Sequence, residues 1–167
     1  MAFEKLGGFL YNLLSGIGVS EADMPNAIKN MTDFSNQVRH IESNNEPTAA
    51  AKSTTAKGVY QFTDASVKTG KQRLKNMGYD EGDVDNISDN PQDWDDDEAD
   101  AMFYGNIFAQ KGSNRELKEI AKGNKKARRD AYYQYHHTDA DEATIERTDE
   151  FIPIDSVEVD DTMMDYN

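Results

Sequence analysis

One carboxylate stands out as a candidate for chemistry. Glu42 follows apolar residues at helical spacing, namely Phe34, Val38 and Ile41, and the chain then breaks at residues 44–47. The carboxyl therefore falls in the last turn of a predicted helix. Because a helix C-terminus carries partial negative charge, we expect the pKa of Glu42 to be raised. A carboxyl that keeps its proton near neutral pH is what general acid catalysis requires.

The segment after Glu42 carries a second pattern. Glu42-Ser43 is followed by Gly58-Val59-Tyr60-Gln61-Phe62. Together they resemble the signature of goose-type lysozymes and lytic transglycosylases, in which a helix ends in Glu-Ser and a Gly-x-x-Gln segment follows a variable loop. The resemblance covers residues 33–138 and implies a mainly α, lysozyme-like α+β fold, with a small β-hairpin or turn after the catalytic helix. The alternative is a surface helix end followed by an unrelated hairpin.

The resemblance also implies residue roles. Glu42 would be the catalytic residue, Ser43 and Gln61 would hydrogen-bond the glycan, and Tyr60 and Tyr132 would line the cleft. No cofactor is expected.

A second part of the site is expected near residue 132. Ala131-Tyr132 matches the start of the family's Ala-Tyr-Asn-Ala-Gly segment, but Asn-Ala-Gly is absent. Residues 132–139 resemble variants in transglycosylase domains of tailed-phage virion proteins. Tyr132, Tyr135 and His136 are the candidate substrate contacts here. The patch is either an aromatic shelf for sugar rings or an amphipathic helix of the core.

Two possible metal sites are not supported by their spacing. Neighbouring histidines such as His136 and His137 rarely point at one ion. Residues 93–104 place aspartates at the first, third and fifth positions of a calcium loop, but the sixth is Glu98 and the twelfth is Tyr104. No metal is therefore expected.

The reaction implied by the resemblance needs one carboxylate. Glu42 would protonate the glycosidic oxygen between N-acetylmuramic acid and N-acetylglucosamine, then act as base on the 6-hydroxyl of the same sugar. The product is a 1,6-anhydro ring, formed intramolecularly. Hydrolysis would need a second carboxylate, for which Glu46 and Asp64 are candidates that nothing in the sequence favours.

The net charge of the chain limits the classes of partner that it can bind. The 167 residues carry a net charge of −14 and no cysteine, and mean hydropathy is −0.86. The negative charge argues against nucleic-acid readout, and the absence of cysteine excludes disulfides. Lys and Arg are absent between Asn76 and Gln110, and acid dominates residues 139–165 apart from Arg147. A decoy that mimics nucleic acid would explain the charge but not the motif pair.

The chain divides into three predicted parts: residues 1–24, an apolar helix and linker; residues 25–150, the lysozyme-like domain; and residues 151–167, an extended acidic tail. The first helix either packs on the domain or contacts a partner or a membrane surface. The tail is either solvated or an arm that docks on a neighbouring subunit.

Further helices are expected within the middle part. The helix that carries Glu42 is predicted to start at Thr32 or Asp33, after a polar link with a short helical turn at residues 19–30. Later helices are predicted at 63–77, 98–111, 114–123 and 125–135.

The N-terminal segment does not read as a secretory signal. Together with this, the resemblance to virion transglycosylase domains implies a phage virion component that acts on peptidoglycan in the host periplasm during genome entry. It would form a homo-oligomer in the particle and contact other virion proteins through its two ends. The rival hypothesis is a structural tail or internal core protein that uses a lysozyme-like fold for assembly.

Overall fold

Helices make up the regular structure of the computed structural model, which describes residues 5–153. In chain order they are α1 (Leu6–Gly16), α2 (Met24–Ser43), α3 (Asp64–Asn76), α4 (Glu81–Asp85), α5 (Asp96–Phe108), α6 (Ser113–Ala121), α7 (Lys125–Ala131) and α8 (Glu142–Phe151). A 3₁₀ turn at Pro91–Asp93 precedes α5, and a π-helix at Tyr132–His136 continues from α7. The prediction of a mainly α fold is confirmed for this part of the chain. None of its helices is long and apolar enough to cross a membrane.

Helix α5 is the centre of the fold because nearly every side chain along it is buried. A capping box fixes its start, with Asp95 and Glu98 each accepting a hydrogen bond from the other's backbone amide. Helices α1, α3 and α6 pack around it. The Phe103 ring stacks on Tyr60 with centroids 4.4 Å apart. The helix predicted at 98–111 is thus present, shifted a few residues toward the N-terminus.

Helix α2 begins well before the predicted start at Thr32 or Asp33. The prediction of a polar link at residues 19–30 is wrong in its second half. Ala27 and Met31 are buried and extend the apolar stripe of α2 toward its N-terminus. Polar residues between them obscured this stripe.

The segment after α2 forms a turn without strands. Its pairing consists of isolated antiparallel bridges, between Ala50 and Lys57 and between Lys57 and Phe62, so no β-hairpin with strands is present in the described residues. Gly58 has a φ of 80°, and a Cβ at this position would lie 2.9 Å from Pro91. Both constraints favour glycine, which gives a physical reason for the glycine of the motif.

Helix α1 packs onto the domain. Phe9, Leu10 and Leu14 are buried, and the helix contacts α2 and α5. Tyr11 lies on the outer side and donates a hydrogen bond to Glu21. Of the alternatives for this helix, packing on the domain is the one that the structure shows.

The acidic C-terminal region contains a helix, α8, that the sequence did not predict. Asp141 caps it by accepting a hydrogen bond from the Thr144 amide. Helix α8 packs along α2, where Gln37 donates to the Phe151 carbonyl. Ile152 is fully buried, so the folded part extends past residue 150. The rest of the predicted tail, from residue 154 onward, lies outside the described residues.

A substitution at Gly105 tests how closely α5 packs against α3. A Cβ at this position would lie 2.4 Å from a methyl carbon of Leu74. Gly105→Ala should therefore lower the free energy of unfolding by about 1–3 kcal/mol, the usual cost of overpacking, although alanine is the better helix former. Gly7→Ala in α1 is the matched control, since a Cβ there meets nothing within 4 Å. Urea denaturation measures both variants, and equal stability would contradict this packing.

Candidate active site

Glu42 lies in the last turn of α2 and lines a cleft of about 610 Å³. Its side chain is only 6% exposed. Asn44 ends the helix in the left-handed conformation, with a φ of 56°. The cleft lies between α2, the turn at Gly58 and the start of α8; its lining includes Glu42, Gln61, His136, His137, Asp139 and Arg147.

Two side chains from the far end of the chain converge on one carboxylate oxygen. The Tyr132 hydroxyl donates to Glu42 Oε1 at 2.5 Å, and His137 Nδ1 lies 2.7 Å from the same oxygen. Because an ionised carboxylate only accepts hydrogen bonds, Nδ1 must carry the proton of this contact. The Tyr132 hydroxyl and His137 Nδ1 are themselves 3.2 Å apart. The other carboxylate oxygen, Oε2, is 4.0 Å from His136 Nε2.

The π-helix explains how Tyr132 and His137 reach the same group. The His137 amide donates to the Tyr132 carbonyl at 2.8 Å, a bond that spans one residue more than in an α-helix. Residues five apart lie about 140° apart around an α-helix, but they stack on one side of a π turn. Such turns occur frequently at functional sites.

These contacts lower the pKa of Glu42, which is the opposite of the predicted shift. Burial alone acts to raise it, but the hydrogen bonds from His137 and Tyr132 and the nearby imidazoles outweigh burial. The prediction of a raised pKa, which rested on the helix end alone, is wrong for this structure. The hydrogen bond to Glu42 raises the pKa of His137 above its usual range. The pair therefore holds its proton on the imidazole.

His136 differs from its neighbour. Its Nε2 donates to the Tyr60 carbonyl at 2.8 Å, and burial lowers its pKa, so the ring is neutral at pH 7. This leaves His137 as the main cationic neighbour of Glu42. The ring of His136 also packs edge-on against Phe103, with centroids 5.0 Å apart. Only part of it borders the cleft, where a substrate contact was predicted.

Ser43 and Gln61 lie next to Glu42 but already form internal hydrogen bonds. Ser43 Oγ is 2.8 Å from the Val59 carbonyl, which ties the end of α2 to the turn. The Gln61 side-chain nitrogen donates to the Gly58 carbonyl at 2.9 Å. Gln61 has a φ of 53°, in the left-handed region that non-glycine residues seldom adopt, and it lines the cleft.

Two predicted glycan contacts, Tyr60 and Tyr135, lie in the core instead. Tyr60 is 1% exposed; its hydroxyl donates to Asp100 at 2.6 Å and accepts from Arg39 at 3.0 Å. The Tyr135 hydroxyl donates to the buried Glu116 at 3.3 Å. Neither tyrosine lines the cleft, because buried carboxylates of α5 and α6 accept from their hydroxyls. Tyr132 is also fully buried and does not line the cleft. Of the aromatic shelf it alone contacts Glu42, to which its hydroxyl donates a hydrogen bond.

Two further residues, His137 and Arg147, belong to the site although they were not among the predicted site residues. The Tyr132–His137 spacing gives no signal unless a π turn is assumed. Arg147 had a signal, since it is the only basic residue in the acidic region after residue 138. It donates to the His40 carbonyl near the end of α2 and lines the cleft.

The acidic residues that line the cleft are not the ones expected as a second carboxylate. Asp139 and Asp141 line the cleft, whereas Glu46 and Asp64 do not. Among residues 5–153, no group of His, Asp and Glu side chains is arranged to hold a metal ion.

Comparisons of the chain with protein-family models, curated proteins and solved structures give no match. The resemblance to lytic transglycosylases therefore rests on the sequence motifs alone, and the function that it implies is a proposal.

Mutation of the buried Arg39–Asp100 ion pair tests how much the buried polar network contributes to the stability of the fold. Both residues are 7% exposed, and their closest atoms are 2.5 Å apart. Arg39→Met leaves Asp100 buried without its cation, and should lower the free energy of unfolding by about 3–5 kcal/mol. Lys29→Met is the control, since it breaks an exposed pair with Asp33 and should cost less than about 1 kcal/mol. Urea denaturation at pH 7 compares them; similar losses would show that the buried pair is unimportant.

The Glu42–His137 pair predicts a pH window of stability. The lowered pKa of Glu42 stabilises the fold above its unfolded value of 4.5, and this contribution is lost as pH falls through the folded value. The raised pKa of His137 stabilises the fold below 6.5, and this contribution is lost as pH rises through the folded value. The difference in melting temperature between wild type and His137→Gln should therefore peak between pH 4.5 and 6.5. A difference that does not change with pH would mean that no proton-linked pair forms.

Proposed function

We propose that this protein is a peptidoglycan lytic transglycosylase, in which Glu42 cleaves the β-1,4 bond between N-acetylmuramic acid and N-acetylglucosamine. The observation that carries the proposal is the placement of Glu42. A buried carboxylate at the end of α2 lines an open cleft and is held in one position by Tyr132 and His137. A fixed carboxylate facing a cleft suits acid/base work on a bound glycan.

The mechanism follows from the position of this carboxyl. Glu42 protonates the glycosidic oxygen, and the bond from that oxygen to C1 of the muramic residue breaks. Glu42 then removes the proton from the 6-hydroxyl as O6 bonds to C1. Because both reacting groups belong to one sugar, ring closure has the entropic advantage of an intramolecular step. Tyr132 keeps the carboxyl oriented in both steps.

Substrate contacts are proposed for the side chains that border the cleft. Gln61 and the exposed part of His136 lie beside Glu42. Ser43 acts indirectly by joining α2 to the turn that carries Gln61. Asp139 and Asp141 leave a hydrolytic outcome open, because inverting glycosidases use a second carboxylate to activate water.

We further propose that the protein is a component of a phage particle that opens the cell wall locally during genome entry. This proposal rests on the resemblance of residues 132–139 to virion transglycosylase domains. In the particle, the protein would form a homo-oligomer and contact other virion proteins through its ends. Since the apolar side of α1 is buried in the domain, the N-terminal contact would use the outer side, where Tyr11 is exposed.

A second candidate function is an assembly protein of the particle with little or no activity. It is favoured by the internal hydrogen bonds of the site. Tyr132, Ser43 and the Gln61 side-chain nitrogen all have partners within the domain. Such a network would also suit a carboxylate that only stabilises the fold.

Digestion of purified peptidoglycan separates the two functions. Glu42→Gln should lower the rate of cleavage by about 10²–10⁴-fold, the usual contribution of a general acid or base. Glu46→Gln is the matched control, because Glu46 is an exposed acid in the following loop and lies outside the cleft. Mass spectrometry of the released fragments identifies the product. Anhydro ends support the transglycosylase, and reducing ends support a hydrolase. No fragments from folded wild type would favour the assembly protein.

A further inference from the structure

We propose that His137 holds the proton that Glu42 delivers and regains, so that the two residues work as one acid/base pair. The inference rests on the proposed function and names a residue to which the sequence resemblance gives no role. His137 acts through Glu42, which makes it a positioning and proton-holding residue.

His137 contacts Glu42 and is the more exposed of the two side chains. Its Nδ1 is 2.7 Å from Glu42 Oε1, within proton-transfer distance. The His137 side chain is 30% exposed, whereas that of Glu42 is 6% exposed. The half-buried imidazole therefore gives the carboxylate a proton-bearing neighbour that is more open to solvent than the carboxylate itself.

The surrounding charges favour a proton on His137. Asp139 and Asp141, which precede and cap α8, both act to raise its pKa. His136 on the π-helix is neutral because burial lowers its pKa. Arg147 of α8 also borders the cleft and acts in the opposite sense on an imidazolium, but its guanidinium is held at the His40 carbonyl.

Tyr132 cannot take this role. Burial and the charge of Glu42 raise the pKa of its hydroxyl well above the usual range, so it remains a donor to Oε1. It lies 3.2 Å from His137 Nδ1, close enough to keep the imidazole and the carboxylate together. The pair therefore has one mobile proton, and the imidazole is its resting position.

The proton balance closes over the reaction. In the first step the proton passes from His137 to Glu42 and on to the glycosidic oxygen, as the bond between C1 and that oxygen breaks and its electron pair stays on the oxygen. In the second step Glu42 takes the proton of the 6-hydroxyl while a lone pair of O6 forms the bond to C1. The proton returns to His137. No water, oxidant or second substrate is consumed.

The pH profile of kcat/KM for peptidoglycan fragments tests this assignment by its direction. In wild type, activity should fall only above the usual histidine value of 6.5, when His137 loses its proton. In His137→Gln the proton must reside on Glu42 itself, so the alkaline limb should move to lower pH and activity at pH 7 should fall about 10–100-fold.

A merely structural His137 predicts the reverse. Its removal would take away a group that lowers the pKa of Glu42, so the alkaline limb would stay in place or move to higher pH, and either result would overturn the proposal. His40→Gln is the control. The Nδ1 of His40 donates to the Asn36 carbonyl and the residue lies outside the cleft, so its profile should match wild type.

Nuclear magnetic resonance titration of the imidazole nitrogens gives a readout that is independent of activity. The His137 signal should titrate above 6.5 in the intact protein and closer to 6.5 in Glu42→Gln. An unchanged midpoint would show that the two residues do not share a proton. If wild type cleaves no peptidoglycan, the proposed function fails, while this titration still decides whether the pair exists.

Discussion

The site depends on one constraint: a carboxylate buried at a helix end must be given hydrogen-bond donors. Glu42 lies where burial and the partial charge of the α2 C-terminus both oppose its ionised form. Tyr132 and His137 supply the donors. Both residues lie near the C-terminal end of the domain, far from Glu42 in sequence. The domain must therefore fold before these donors can stabilise the carboxylate. This contact therefore links the formation of the site to the formation of the whole domain.

Buried hydrogen bonds next to the site hold the segment that carries these donors in place. Asp100 of the central helix α5 accepts from both Arg39 and the Tyr60 hydroxyl, while the Tyr60 backbone carbonyl accepts from His136. A chain of buried hydrogen bonds thus runs from α5 through the turn to the π-helix. In a low-dielectric core such a network is stable only when every member has a partner. This requirement explains why Tyr60 belongs to the core and does not line the cleft.

The sequence predicted those features that local patterns determine. Apolar spacing located the central helix, the capping residues located the start of α3, and the position of Glu42 at a helix end is correct because the break at residues 44–47 is strong. The features it missed depend on distant contacts. The pKa of Glu42 changes direction because of His137, whose side chain reaches the site only through a π turn. Helix α8 was not predicted, because its sequence is acidic and lacks an apolar stripe. Its stability comes from packing on α2.

Helix α8 also bears on how an acidic protein with a net charge of −14 would approach an anionic polymer. The overall field repels such a substrate, but at about 0.15 M salt it decays within about 8 Å. Local charges therefore decide what happens in the cleft. Arg147 is brought there by α8, and the proton on His137 adds a second positive charge beside Glu42. The same helix that carries much of the C-terminal acid thus delivers a cation to the cleft, so the charge of the site differs from the charge of the chain. Because His137 carries its charge only when protonated, attraction of an anionic glycan and supply of the proton in the proposed reaction would weaken together as the pH rises.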